Sequence, residues 1–186
     1  RYYNSVHHLD SQFKRVFDYL KQEELLDSTI VIVLGDHGEE FMEKGRWGHN
    51  SAFVDEQIRT PFVLWVPGMN PRVYEQMSNH MDVVPTVMPL LGVKNPKRDY
   101  TTGVNLLTDE VRDYAVLAEW SSTAYIDNEV KISMPLAVVA TQHPRVTAAD
   151  DSSLSASDQS AVYEQKAKNL ASMMEELGRY TSKQKK

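Results

Sequence analysis

The chain has 186 residues, a net charge of −6, and 41% hydrophobic and 25% charged residues. This is the make-up of a water-exposed globular protein, and the acidic balance argues against a basic surface for nucleic acid or anionic membranes. The absence of cysteine excludes disulfides and thiolate metal sites, and no run approaches the roughly 20 apolar residues of a membrane span.

Residues 1–24 read as an amphipathic helix, with Val6, Leu9, Phe13, Val16, Phe17 and Leu20 recurring at helical spacing. No signal peptide is read at Arg1, and the chain is expected to be an excised piece with any anchor outside it. Thr29–Leu34, five β-branched residues and one leucine, reads as a buried strand. Residues 41–60 show no clean period and read as a long functional loop. Phe62–Val66 reads as a second strand of the same sheet, closed by a Pro67-Gly68 turn. Residues 81–92 read as a helix, with Asp82 as N-cap, Pro85 in the first turn, Gly92 as stop, and Pro89 kinking or shortening it. Tyr114–Glu119, Ser122–Ile126 and Val130–Ala140 alternate as an antiparallel meander, with Asp127-Asn128 as one turn. Pro135 breaks or edges the last strand. The predicted organisation is 1–146 as one globular part, 147–161 as a flexible linker rich in Ser, Ala and Asp, 162–180 as a closing helix, and 181–186 as a disordered tail. Leu170, Met173, Met174 and Leu177 are expected on the apolar face of that helix.

Chemistry concentrates after the first strand. Asp36 and His37 follow it directly, bracketed by Gly35 and Gly38. In open α/β sheets, ligands bind beyond the carboxyl ends of strands. A carboxylate beside a neutral imidazole suits zinc or manganese; by spacing alone, the pair serves equally well as a polar stop to the strand. His49, twelve residues on in Gly48-His49-Asn50, is either an ordinary loop residue or a group that bonds a phosphoryl or sulfuryl oxygen or protonates a leaving group. Glu39 and Glu40 are candidates for orienting His37, or else a solvated start to the loop. His80 is a minor candidate beside Asp82. His7, His8, Asp10 and His143 read as structural or exposed. No glycine-rich phosphate loop, Gly-x-Ser-x-Gly elbow or His-Glu-x-x-His is present.

Four ordered motifs carry a resemblance. They are strand-Gly-Asp36-His37-Gly-Glu, Gly48-His49-Asn50, Gln57-Ile-Arg-Thr-Pro61-Phe-Val-Leu-Trp-Val-Pro-Gly68, and His80-Met-Asp82-Val-Val-Pro85-Thr86 through Leu-Leu-Gly92. With Tyr3, Asp10 and Leu20 in the first helix, they resemble the carboxyl half of the sulfatase-like branch of the alkaline phosphatase superfamily. Residues 1–107 carry the likeness; residues 108–186 match less distinctively. Bacterial membrane-anchored members of the lipoteichoic-acid synthase and phosphoethanolamine transferase kind look most similar.

The resemblance implies an α/β fold: a partial alkaline-phosphatase-like sandwich, with a mainly parallel sheet, flanking helices and a small antiparallel sheet. It implies a divalent metal (Zn, Mn, Ca or Mg) held by Asp36 and His37, with His49 contacting the transferred group or leaving oxygen and Glu39 and His80 behind them. It implies a sulfate- or phosphate-ester substrate, lipid or glycan among the candidates, and a covalent enzyme intermediate. The family's nucleophile lies in the amino-terminal half, so these residues alone are expected to be inactive. No nucleic acid is implied. Membrane contact would come only through amino-terminal segments outside the chain, placing it at the extracytoplasmic face of a bacterial inner membrane. The alternative is a non-catalytic relative that regulates envelope assembly by binding lipid or protein.

Overall fold

The computed structural model describes residues 1–136 and 144–181. In chain order the elements are α1 (Tyr2–Gln22), β1 (Val31–Leu34), β2 (Glu40–Phe41), β3 (Trp47–Gly48), α2 (Asp55–Ile58), β4 (Phe62–Trp65), α3 (Val83–Val87), β5 (Ala115–Ala118), β6 (Ser122–Ile126), β7 (Val130–Pro135), β8 (Arg145–Ala148) and α4 (Ala156–Thr181). The chain divides into two units. One joins Arg1–His37 with Arg59–Val73; the other joins Gly38–Ile58 with Tyr74–Lys186. No helix of the described residues is long and apolar enough to cross a membrane.

In the first unit, α1 ends close to its predicted limit, and the chain turns away through Glu24 at a positive φ of 56°. β1 and β4 share a sheet as expected, but they pair antiparallel, Val31 opposite Trp65 and Leu34 opposite Phe62. The mainly parallel sheet is therefore not formed among the described residues. Parallel neighbours need a long crossover, usually a helix. Residues 35–61 hold only a short ribbon and the single turn of α2. With β4 as its one hydrogen-bonded neighbour among the described residues, β1 is half-buried rather than buried. Pro67-Gly68 forms the foreseen turn: Met69 N–H donates to the Val66 carbonyl at 3.1 Å, and Gly68 takes a φ of 73°.

In the second unit, β5–β6–β7–β8 form a four-stranded antiparallel sheet in chain order. Tyr125, Val130, Ile132, Val146 and Met173 make its core against α4. The Asp127 turn holds because its Oδ1 accepts the N–H groups of Glu129 and Val130 at 2.8 and 2.9 Å. Pro135 ends β7; the rest of the predicted strand, like His143, lies outside the described residues. β8 is an addition to the predicted meander.

The stretch read as a linker contributes the end of β8 and the start of α4. Its serines and aspartates are helix-start chemistry. Ser155 Oγ accepts the Asp158 N–H at 3.2 Å and bonds the Asp158 carboxylate at 2.6 Å. On α4, Met173 is fully buried and Leu170 packs on the core, whereas Met174 and Leu177, expected on the same apolar face, are exposed. The same face carries Lys166, whose Nζ lies 2.8 Å from Asp127, and Asn169, which donates to the Tyr125 hydroxyl at 3.0 Å. Tyr125 in turn donates to Asp127 at 2.8 Å.

The predicted helix at 81–92 is shorter. Asp82 stands at the N-cap position of α3 as expected but makes no side-chain cap bond there; the side-chain cap belongs to the 3-10 turn before it, where Asn79 accepts the Met81 N–H at 2.9 Å and Asp82 accepts the Asn79 N–H at 2.8 Å. Pro89 lies in a separate 3-10 turn, Met88–Leu91, closed by Gly92 at φ 83°. Asp82 is fully buried, bonded to the Val104 N–H and to Arg112. Thr86 Oγ1 accepts the Leu106 N–H at 2.9 Å. This motif therefore stitches α3 to residues 104–112.

Candidate functional site

In the first unit, the tip of β1 delivers Asp36 and His37. Gly35 N–H donates to the Pro61 carbonyl at 3.1 Å, extending the β1–β4 ladder by one residue. Asp36 Oδ1 accepts the His37 N–H at 3.0 Å, and Asp36 Oδ2 lies 3.7 Å from His37 Nε2. Two ligands about 2.1 Å from one tetrahedral ion stand about 3.4 Å apart. A carboxylate and an imidazole at this separation thus fit a divalent cation after a shift of a few tenths of an ångström.

In the second unit, Gly38 donates its N–H to the Gln57 carbonyl at 2.8 Å. A Cβ here would stand 2.1 Å from the Glu56 carbonyl oxygen, so the position admits only glycine. The β2–β3 ribbon pairs Glu40 with Gly48 and Phe41 with Trp47, whose rings meet edge to face at 5.7 Å. His49 leaves this ribbon between Gly48 at φ 90° and Asn50 at φ 58°. Its Nδ1 lies 2.9 Å from Glu39 Oε2.

Glu39, expected either to orient His37 or to be a solvated start to the loop, has its carboxylate hydrogen-bonded to His49. Glu40, expected either to orient His37 or to be solvated, does neither. It is fully buried. Its Oε1 accepts the N–H groups of Lys44 and Arg46 at 3.0 and 2.8 Å, and its Oε2 accepts from Gln57 Nε2 at 2.8 Å. Burial alone would raise its carboxyl pKa; the bonds from Gln57, Arg46 and Lys44, with the nearby Arg46 charge, hold it below the ordinary carboxylate value.

The region read as an irregular loop is therefore built. Its far end is held by Lys131, almost buried on β7. Lys131 Nζ bonds Asp55 at 2.6 Å and Asp151 at 2.7 Å, and Asp151 accepts the Asp55 N–H at 3.2 Å. Gln57 opens one of the four motifs, yet nothing in the sequence marks it as the partner of Glu40; Lys131 lies in no motif at all. His80 lies exposed in the 3-10 turn ahead of α3.

The structure thus pairs Asp36 with His37 in one unit and Glu39 with His49 in the other. A Sulfatase family model matches residues 1–93, half of the chain, and the chain belongs to that family. It is 28% identical over 127 residues to a choline-sulfatase of Rhizobium meliloti (strain 1021), covering 66% of this chain and 25% of that protein. It is also 28% identical over 128 residues to the inner membrane protein YejM of Salmonella typhimurium, covering 68% of this chain and 21% of the relative. Among solved structures, BT4656 in complex with D-glucosamine-2-N,6-O-disulfate matches 92% of this chain and 38% of its own, with a TM-score of 0.67 at 18% identity. That likeness is one of fold, and it supports the α/β class. The chain spans about a quarter or less of the length of these curated relatives.

Proposed function

We propose that these residues form part of a metal-dependent sulfatase-like enzyme that hydrolyses or transfers a sulfate or phosphate ester. Asp36 and His37 ligate a divalent cation, which when bound would neutralise charge on the transferred group. His49 handles the proton at the leaving oxygen. The observation that carries this reading is the Glu39–His49 hydrogen bond at 2.9 Å. A carboxylate on Nδ1 fixes the imidazole's orientation and its tautomer, so proton exchange runs through Nε2.

The nucleophile belongs to polypeptide outside these 186 residues, and attack by it gives a covalent sulfo- or phospho-enzyme. These residues alone are therefore inactive. The likeness to YejM, named an inner membrane protein, supports a place at a bacterial inner membrane, and the extracytoplasmic face is part of this proposal.

The test is metal analysis of the full natural polypeptide with turnover of 4-nitrophenyl sulfate and bis(4-nitrophenyl) phosphate. Asp36→Ala and His37→Ala lose metal and turnover together. His49→Ala keeps the metal and loses on the order of 10²-fold or more in kcat. Full metal content and turnover in Asp36→Ala would refute the reading, and so would turnover by the 186-residue chain alone. A protein with no turnover of any ester, and unaffected by all three substitutions, is a binding regulator instead.

A further inference from the structure

The His49 segment is gripped from both sides by one buried acid. On the near side, the Glu40 backbone pairs with Gly48, the residue before His49. On the far side, the Glu40 carboxylate holds the Gln57 amide. Gln57 Oε1 accepts the N–H groups of Ser51 and Ala52 at 3.1 and 3.3 Å, and its Nε2 donates to Ser51 Oγ at 2.9 Å. Backbone N–H groups can only donate and an ionised carboxylate can only accept. The Gln57 amide therefore has one workable orientation, with oxygen toward Ser51 and Ala52 and nitrogen toward Glu40. Every partner of Glu40 is a donor, so a glutamine there would set one NH₂ against another. To relieve that clash the Gln57 amide must flip, which releases both N–H groups beyond His49. The neighbouring Glu39 meanwhile fixes the imidazole.

We infer that Glu40 and Gln57 are positioning residues that set where the His49 imidazole stands, through a buried acid–amide pair gripping both flanks of the Gly48–Ser51 turn. The inference rests on the reading that His49 acts in catalysis. Neither residue touches substrate; both act through the backbone on each side of His49. A displacement of about 1 Å in a reacting group costs on the order of 10²-fold in rate.

The acid and the amide are interchangeable in principle, and this supplies the test. In the full natural polypeptide, Glu40→Gln lowers kcat on 4-nitrophenyl sulfate or bis(4-nitrophenyl) phosphate by on the order of 10²-fold with KM little changed. Amide exchange at Ser51 and Ala52 accelerates, and the His49 Nδ1 resonance shifts. The exchanged pair Glu40→Gln with Gln57→Glu restores all three, because acceptor and donor meet again and the new carboxylate still accepts from Ser51 and Ala52. In a His49→Ala background, Glu40→Gln costs no further rate.

Unchanged exchange and unchanged kcat in Glu40→Gln overturn the inference. Failure of the exchanged pair to restore kcat overturns it too, as does full additivity with His49→Ala, since both mark a merely structural role. Should Glu40→Gln not fold, Gln57→Met decides, and wild-type kcat in that variant overturns the inference. Wild-type turnover in His49→Ala instead refutes the underlying reading, and the resonance and exchange data keep the two failures apart.

Discussion

Replacing Lys131 with methionine tests how the site-bearing segment is tied to the sheet beneath it. The Lys131 side chain is 6% exposed and Asp151 is 7% exposed, while Asp55 is 38% exposed. Removing one partner of a buried ion pair costs about 3–5 kcal/mol, because the charge left behind is uncompensated. Here the stranded charge is chiefly that of Asp151, since water already reaches Asp55, and Lys44 Nζ, 3.8 Å from the Asp151 carboxylate, still offsets part of it. The low end applies, about 3 kcal/mol. In urea, with a slope of about 2 kcal/mol/M, the unfolding midpoint falls by about 1.5 M.

A second substitution shows the cause. Asp151 sits at a φ of 72°, a conformation asparagine tolerates well. Asp151→Asn removes the stranded charge and keeps an acceptor for the Asp55 N–H. Lys131→Met with Asp151→Asn therefore returns to within about 1 kcal/mol of the parent. Circular dichroism during urea unfolding measures both. A single variant within about 0.5 kcal/mol of the parent, or a double variant as unstable as the single, would refute the reasoning.

Two further outcomes concern the sheet and its helix. Met173→Ala, at the only fully buried apolar position of α4 among the described residues, costs about 2–5 kcal/mol in urea unfolding, whereas Met174→Ala on the exposed side stays within about 0.5 kcal/mol. Acid stability depends on Asp127. Burial alone would raise its carboxyl pKa, but Lys166, the Glu129 and Val130 N–H groups and Tyr125 hold it below the ordinary 3.8. The unfolded chain then binds this proton more tightly than the folded one, so the contribution is present above about pH 4 and is lost as the pH falls through the lowered value. Asp127→Asn shrinks the difference in unfolding free energy between pH 7 and pH 3; an unchanged difference would refute this account.

Some of this architecture was legible because single residues announce local chemistry. A strand ending in Gly-Asp36-His37 presents its donors one residue past the ladder, and Asp127-Asn128 makes its turn from its own side chain. What was not legible depends on partners distant in the chain. Glu39 and Glu40 are indistinguishable locally; strand alternation sends them to different surroundings, and only the fold decides which goes inside. Lys131 looks like a solvent-facing strand position, yet it is closed over by Asp55, 76 residues earlier. The direction of β4 relative to β1 follows from how little secondary structure separates them, which the apolar runs do not reveal. Ser155 and Asp158 belong to a composition that signals a linker as readily as a helix cap.

The edge-to-face stacking of Phe41 and Trp47 gives this molecule a built-in optical label. Trp47 is 69% exposed and two residues ahead of His49, and the other two indoles, Trp65 and Trp120, lie outside the ribbon. With those two changed to phenylalanine, emission comes from the ribbon alone. Its colour and lifetime then report directly on the surroundings of the turn that carries His49, with no dye attached.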